Sequence, residues 1–262
     1  MRLNAKDFIN LEQKSITLLG MSGVGKTFLS NILRNSDWFH YSGDYRIGTR
    51  YLDEPILDNI KTQAMQVPFL RKLLRSDSIY INNNITVDHL DAVSTFIGKI
   101  GDPELDGLSL EEFKRRQNLH LNAEIAAMND VPEFIEKARN IYGFNNFIND
   151  AGGSLSELGD TKLLDMLAKH TIFIYIQANE DDEKRLIARS KSSPKPMYYQ
   201  PEFLDEQLAI YMEENALEYV AMINPDELFV GSFRDYSMHV FHAMKPLLNN
   251  MVTRLKLRIY TP

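Results

Sequence analysis

The sequence predicts an α/β fold, an open parallel sheet with helices on both faces, and three observations predict it. An apolar run, Ile16-Thr17-Leu18-Leu19, leads into a glycine-rich loop and then a helical pattern, Phe28-Leu29-x-x-Ile32-Leu33. Further short runs rich in β-branched and aromatic residues alternate with helical stretches. The chain has 262 residues, 44% hydrophobic and 25% charged, an ordinary globular composition with room for one large core and an insertion.

The first strand–loop–helix carries the strongest motif. Residues 20–27 read Gly20-Met21-Ser22-Gly23-Val24-Gly25-Lys26-Thr27, a complete G-x-x-x-x-G-K-T in the context that this motif requires. Glycines let the backbone curl so that successive N–H groups point at phosphate oxygens. The helix that follows adds its positive N-terminal end. Lys26 is the expected ligand of the β- and γ-phosphates, and the Thr27 hydroxyl that of Mg²⁺. The candidate nucleotide-binding residues are Gly20, Ser22, Gly23, Val24, Gly25, Lys26, Thr27 and Phe28. A merely structural glycine turn would not need Lys26-Thr27.

Trp38-Phe39-His40-Tyr41 predicts a second strand, ending at Ser42-Gly43-Asp44. The segment 49–143 then lacks a convincing strand, save a weak one at Ser78-Ile79-Tyr80-Ile81, and reads as a helical insertion, a candidate substrate-binding subdomain. Within it Ser109-x-x-Glu112 forms a capping box. Asp130 stands where a cap belongs, with Pro132 and Glu133 in the first turn and Gly143 beyond the end. Phe144-Asn145-Asn146-Phe147-Ile148-Asn149 predicts the third strand and Thr171-Ile172-Phe173-Ile174-Tyr175-Ile176 the fourth. Glu218-Tyr219-Val220-Ala221-Met222-Ile223 predicts a fifth. The whole is read as one domain over 1–262, with a lid over 180–205.

Ligands of open parallel sheets bind at the carboxyl ends of the strands, so those ends hold the remaining candidates. After the second strand come Asp44, suited to orienting or deprotonating an acceptor hydroxyl, and Arg46, suited to an anionic substrate group. The competing reading of Asp44 is an Asx turn. After the third strand, Asp150-Ala151-Gly152-Gly153 offers Asp150 as a carboxylate on Mg²⁺ and Gly152 and Gly153 as a close approach to substrate. It also fits a D-x-x-G switch pattern, or a plain glycine connection. After the fourth strand, Arg185 and Arg189 share a helix face and lead into a Pro/Ser-rich stretch, a candidate lid that places a guanidinium on the transferring phosphoryl group. A solvated helix with pairs such as Asp181–Arg185 explains the same pattern. Arg71, Lys72, Arg75, Lys114, Arg115 and Arg116 read as surface charges.

Composition narrows the classes. A net charge of −7 argues against a general nucleic-acid binder. Cysteine is absent, which excludes disulfides and thiolate metal sites and suits the cytoplasm. No apolar run reaches the roughly 18–20 residues of a membrane span, and no secretory leader is visible at the start. His239 and His242, three apart, read as a helix-surface pair.

Together the motifs resemble the P-loop kinases of the shikimate kinase and nucleoside monophosphate kinase superfamily, over 15–48, 144–154 and 171–225. Gly20 to Thr27 matches the family loop throughout. Asp44 with Ile47 is similar to the end of the Asp-x-Asp-x-x-Ile motif, in which the second Asp meets the acceptor; Ser42 replaces the first. Gly152-Gly153-Ser154 looks like a partial version of the triple glycine, and Lys195-Pro196 stands where the lid has Arg-Pro. The segment 49–143 far exceeds the corresponding section of a shikimate kinase, so shikimate is a poor candidate acceptor. The resemblance implies a three-layer α/β/α fold whose five-stranded parallel sheet has the order 2-3-1-4-5.

The expected function is ATP-dependent phosphoryl transfer with Mg²⁺, to a small-molecule acceptor, using Lys26, Asp44, Arg185 and Arg189. The alternative is a P-loop ATPase or a GTPase-type switch without a phosphorylated acceptor. The guanine motif Asn-Lys-x-Asp is missing, since Thr161-Lys162 is followed by Leu163-Leu164.

Overall fold

In the computed structural model of the chain, which describes residues 5–20, 23–152, 155, 158, 160–176, 185 and 198–231, the apolar runs become strands. The order is α1 (Ala5–Ile9), β1 (Ser15–Leu19), α2 (Lys26–Arg34), β2 (Trp38–Ser42) and α3 (Gly43–Arg46). A π-helical turn over Ile47–Tyr51 follows, then α4 (Asp53–Ala64), α5 (Pro68–Arg75), α6 (Asp91–Ile97), β3 (Lys99–Ile100) and β4 (Gly107–Leu108). Next come α7 (Leu110–Asn129), α8 (Val131–Asn140), β5 (Asn146–Asp150), α9 (Thr161–His170) and β6 (Ile172–Tyr175), with later helices over Pro201–Glu214 and Pro225–Gly231. The chain forms two compact units, one of 1–43, 125–194 and 233–262, the other of 44–124 and 195–232.

The first unit holds the parallel sheet, ordered β2-β5-β1-β6. Side chains alternate across a strand, and the register keeps that alternation consistent from strand to strand. On one face Ile16, Leu18, Trp38, Ile148 and Ile174 form a buried cluster against Phe8 of α1 and Leu29 and Leu33 of α2. On the other, Phe39 stacks on Phe147 at 5.8 Å between ring centroids, and Tyr41 meets Phe134 of α8 at 4.9 Å. Tyr41 also donates its hydroxyl to the Ala127 carbonyl. Both faces are therefore covered by helices, as a parallel sheet requires.

Among the described residues the sheet has the order expected for its first four strands, 2-3-1-4, and the run expected as the fifth is not a strand. The run 218–223 belongs to the second unit and forms a short 3₁₀ turn over Val220–Met222. Tyr219 and Met222 are exposed and only Ile223 is fully buried, whereas a central strand buries nearly every residue. Short apolar runs do not distinguish strand from turn by pattern alone. Residues 78–81 are likewise irregular. Of the two expected caps, Ser109 Oγ accepts from Glu112 N–H at 3.2 Å. Asp130 makes no side-chain capping bond to α8.

The second unit is mainly helical, apart from the two-residue pairing of β3 with β4. One of the expected surface charges sits inside it. Arg116 is buried; it donates to Glu112 at 2.6 Å, to Asn59 at 2.9 Å and to the Phe96 carbonyl, and its guanidinium lies 4.8 Å from the Phe96 ring centroid. The spacing that puts Arg115 outside turns Arg116 inward, because the residues are 100° apart on a helix. Arg115 and Arg116 together hold the Glu112 carboxyl down to about 2, with the Arg115 hydrogen bond the larger cause.

Candidate functional site

The glycine loop is built around close backbone approach. Gly20 has φ 149°, and a side chain there would begin 2.7 Å from the Ile176 carbonyl oxygen. Gly25 caps α2 in the left-handed region at φ 101°. Two positive-φ glycines thus turn the chain from β1 into α2 without the steric cost any other residue would meet. Lys26 is buried, and its ammonium donates to the Gly20 carbonyl at 2.8 Å. The lysine is folded over the loop, where it can answer phosphate charge. Thr27 and Phe28, the next residues of α2, are exposed, so the helix start is open. Val24 is half-buried. Ser22 lies outside the described residues.

The β5 carboxyl end supplies Asp150. It pairs in register with Leu18 of β1 and Ser42 of β2, which sets it beside the ends of both strands. It is buried, and its Oδ2 lies 3.6 Å from His40 Nε2. The pairing of His40 with Ile148 and of Ser42 with Asp150 gives the two side chains the same face of the sheet, the one α2 covers. His40 Nε2 has no hydrogen-bond partner among the described residues. Nothing in the sequence reading singled out His40; its even spacing from Ser42 on an expected strand was the available signal. Ala151 is buried behind Asp150 and Gly152 is half-buried. Gly153 lies outside the described residues.

The opposite face buries a different polar set. Asn149 donates to Thr17 Oγ1 at 3.2 Å, the Thr17 and Thr171 hydroxyls are 2.8 Å apart, and Thr171 donates to the Leu167 carbonyl at 2.9 Å. These contacts link β5, β1 and the α9–β6 junction in register.

Asp44 and Arg46 follow β2 directly in the chain but belong to the second unit. Asp44 is exposed; Arg46 lies over the Tyr51 ring at 5.7 Å. Within that unit the charge of Asp44 acts on His120, a buried residue of α7. Burial pushes the His120 imidazole down to about 4, and Asp44 opposes that shift. Glu124, one helical turn on and also buried, holds Oε2 3.7 Å from His120 Nδ1. Sequence reasoning missed both residues. Arg185 is exposed, and Arg189 lies outside the described residues with most of the expected lid.

Thr27 and Asp150 are hard oxygen donors of the kind Mg²⁺ takes alongside nucleotide phosphates. The donor set suits that ion: one hydroxyl at the open start of α2 and one carboxylate at the neighbouring strand end. Among the described residues no cluster of three or more His, Asp or Glu forms a metal cage, which such a site does not require. No described helix is long and apolar enough to cross a membrane.

No protein-family model matches the chain, and neither does any curated protein. Among solved structures it is similar to a shikimate kinase from Bacteroides thetaiotaomicron, at 16% identity and a TM-score of 0.34, over 90% of this chain and 98% of that one. So loose a superposition carries no weight; the α/β assignment stands on the parallel strand order and the loop geometry.

Proposed function

We propose that the chain is a P-loop phosphotransferase that moves the γ-phosphoryl group of ATP to a small-molecule hydroxyl acceptor. The observation that carries the reading is the complete 20–27 loop between β1 and α2, with Lys26 folded onto the Gly20 carbonyl and Asp150 at the adjacent strand end. In this reading the loop amides and Lys26 hold the phosphate charge, and Thr27 and Asp150 hold Mg²⁺. An Mg²⁺ ion held by these two residues would supply positive charge against the nucleotide phosphates. Asp44 takes the proton of the acceptor hydroxyl as its oxygen bonds to phosphorus and the bond to the departing ADP breaks. Arg185 or Arg189 closes on the transferring group from a lid over 180–205, and Arg46, Gly152 and Gly153 complete the acceptor side. Phosphoryl transfer asks a protein mainly for position and charge, and this inventory offers both.

The test is Lys26→Ala with nucleotide turnover measured beside far-UV circular dichroism. Turnover should fall by about 10³-fold, the scale of losing a charge aimed at the reacting group, while the fold persists. Wild-type turnover in the variant sinks the assignment. Turnover that persists in a screen yielding no phosphorylated acceptor points to the ATPase alternative.

A further inference from the structure

The sheet face under α2 is built from apolar side chains. Ile16, Leu18, Trp38, Ile148 and Ile174 pack there against Leu29 and Leu33. His40 and Asp150 interrupt it. Alternation along β2 puts His40 on the same face as Trp38, and the register sets His40 across from Ile148 and Ser42 across from Asp150. The imidazole is 4% exposed and the carboxylate 7%, with His40 Nε2 3.6 Å from Asp150 Oδ2. Nε2 has no hydrogen-bond partner among the described residues. Burying a polar nitrogen is costly unless it is hydrogen-bonded. A leucine or phenylalanine would fill position 40 among these neighbours without that cost. Ser30 of α2, fully buried, spends its own proton on the Lys26 carbonyl at 3.0 Å. Packing therefore leaves the choice of histidine at 40 unexplained, and the carboxylate that its nitrogen faces is the one at the nucleotide end of the sheet.

We propose that His40 is a positioning residue for Asp150: the imidazole, with a proton on Nε2, holds the carboxylate through Oδ2 and leaves Oδ1 to an Mg²⁺ ion beside the nucleotide phosphates. The proposal deepens the phosphotransferase reading and rests on it for the ion; His40 acts only through Asp150. A carboxylate has two oxygens that both accept. One held by a hydrogen bond on its second oxygen meets a metal in one orientation, and such outer partners set metal affinity as the ligands themselves do. At 3.6 Å the pair is just short of a hydrogen bond, and about 0.6 Å of movement closes it. Both residues belong to the sheet unit, as do Lys26 and Thr27. The strands thus fix the imidazole and the carboxylate relative to one another before any ligand arrives.

The test is Mn²⁺ binding to the full chain in the presence of ADP, with free Mn²⁺ counted by electron paramagnetic resonance. His40→Phe fills the same space without a proton to donate. His40→Gln keeps an amide nitrogen near the place of Nε2. His40→Phe should weaken Mn²⁺ binding about 10- to 100-fold, His40→Gln should recover most of it, and ADP binding without metal should be unchanged in both. Wild-type Mn²⁺ affinity in folded His40→Phe overturns the proposal, and so does a His40→Gln as weak as His40→Phe, because shape and not the proton would then be at work. If His40→Phe does not fold, nitrogen resonances of the wild type labelled at histidine, assigned from His40→Gln, decide instead. Nε2 should carry a proton and its signal should move when Mg²⁺ and ADP are added; an Nε2 without a proton, or a signal that does not move, overturns the proposal. Asp150→Asn separates the two readings. If it weakens Mn²⁺ binding while folded His40→Phe does not, the ion stays with Asp150 and only the role of His40 falls. If Asp150→Asn binds Mn²⁺ as the wild type does, the assignment of the ion falls and the role of His40 with it.

Discussion

Each unit of the molecule buries a histidine beside a carboxylate at nearly the same separation, 3.6 Å for His40–Asp150 and 3.7 Å for His120–Glu124. Their surroundings differ. Asp150 ends a parallel strand between the ends of β1 and β2, where chain direction alone gathers ligand-binding groups. His120 and Glu124 lie one turn apart in a helix, in a unit without a recognisable motif. The same pair of residue types thus serves a position set by topology in one case and by packing in the other. The first can be recognised from strand ends. The second becomes visible only when the helix face is known to be buried.

The largest expected effect breaks the first pair. Asp150→Asn keeps the shape and one hydrogen-bonding oxygen but removes the charge. If Asp150 holds Mg²⁺, turnover should fall by about 10²- to 10³-fold, the cost of losing an electrostatic group at a transferring phosphoryl, with a higher Mg²⁺ requirement in a titration. A variant that is merely less stable, at unchanged turnover and unchanged Mg²⁺ response, reduces His40–Asp150 to a structural pair like the threonines on the other face.

The second pair should show itself in acid. The His120 pKa is depressed from 6.5 to about 4 in the folded chain, chiefly by burial. Below 6.5 the unfolded chain therefore binds a proton that the folded chain refuses, and stability falls as pH drops from 6.5 towards 4, then stops falling on this account. A depression of that size corresponds to about 3 kcal/mol. Urea melts between pH 7 and pH 5 should show the decline in the wild type and a flatter line in His120→Gln. An equal slope in both would place His120 in contact with water.

These two regions also mark how far the sequence could be read. The loop was legible because phosphate binding needs particular residues at consecutive positions, Gly20 to Thr27. β2, β5 and β6 were legible because buried parallel strands are short apolar runs. The run 218–223 had the same composition and misled, since only tertiary contact decides whether Tyr219 and Met222 meet a sheet or solvent. Arg116 misled for the mirror reason: a charge inside a run of charges reads as surface, and its three partners come from α4, α6 and its own helix. His120 and Glu124 gave a signal that went unread, polar residues at the i, i+3 and i+7 spacing from Gln117 that a core face would occupy.

A smaller effect tests the loop by shape instead of charge. Gly20→Ala leaves Lys26, Thr27 and Asp150 in place but puts a methyl 2.7 Å from the Ile176 carbonyl at a φ of 149°. A strained backbone of this kind costs about 1–3 kcal/mol. A melt should show that loss, and nucleotide affinity should fall with it because the Gly20 carbonyl also receives Lys26. Unchanged stability would mean that β6 gives way, and the loop would then be less rigidly seated than its geometry indicates.

The smallest effect calibrates both pairs against a carboxylate whose work is fully visible. Asp160 caps α9, and its Oδ1 accepts from the Leu163 amide at 3.0 Å. Asp160→Ala removes one cap and should cost about 1 kcal/mol, with turnover and its Mg²⁺ dependence untouched. That sets the scale of a carboxylate that only holds structure. Asp150→Asn should exceed it in turnover. If Asp160→Ala lowers turnover as much as Asp150→Asn does, activity is tracking the stability of the sheet unit as a whole, and the contrast between topology-placed and packing-placed carboxylates loses its functional meaning.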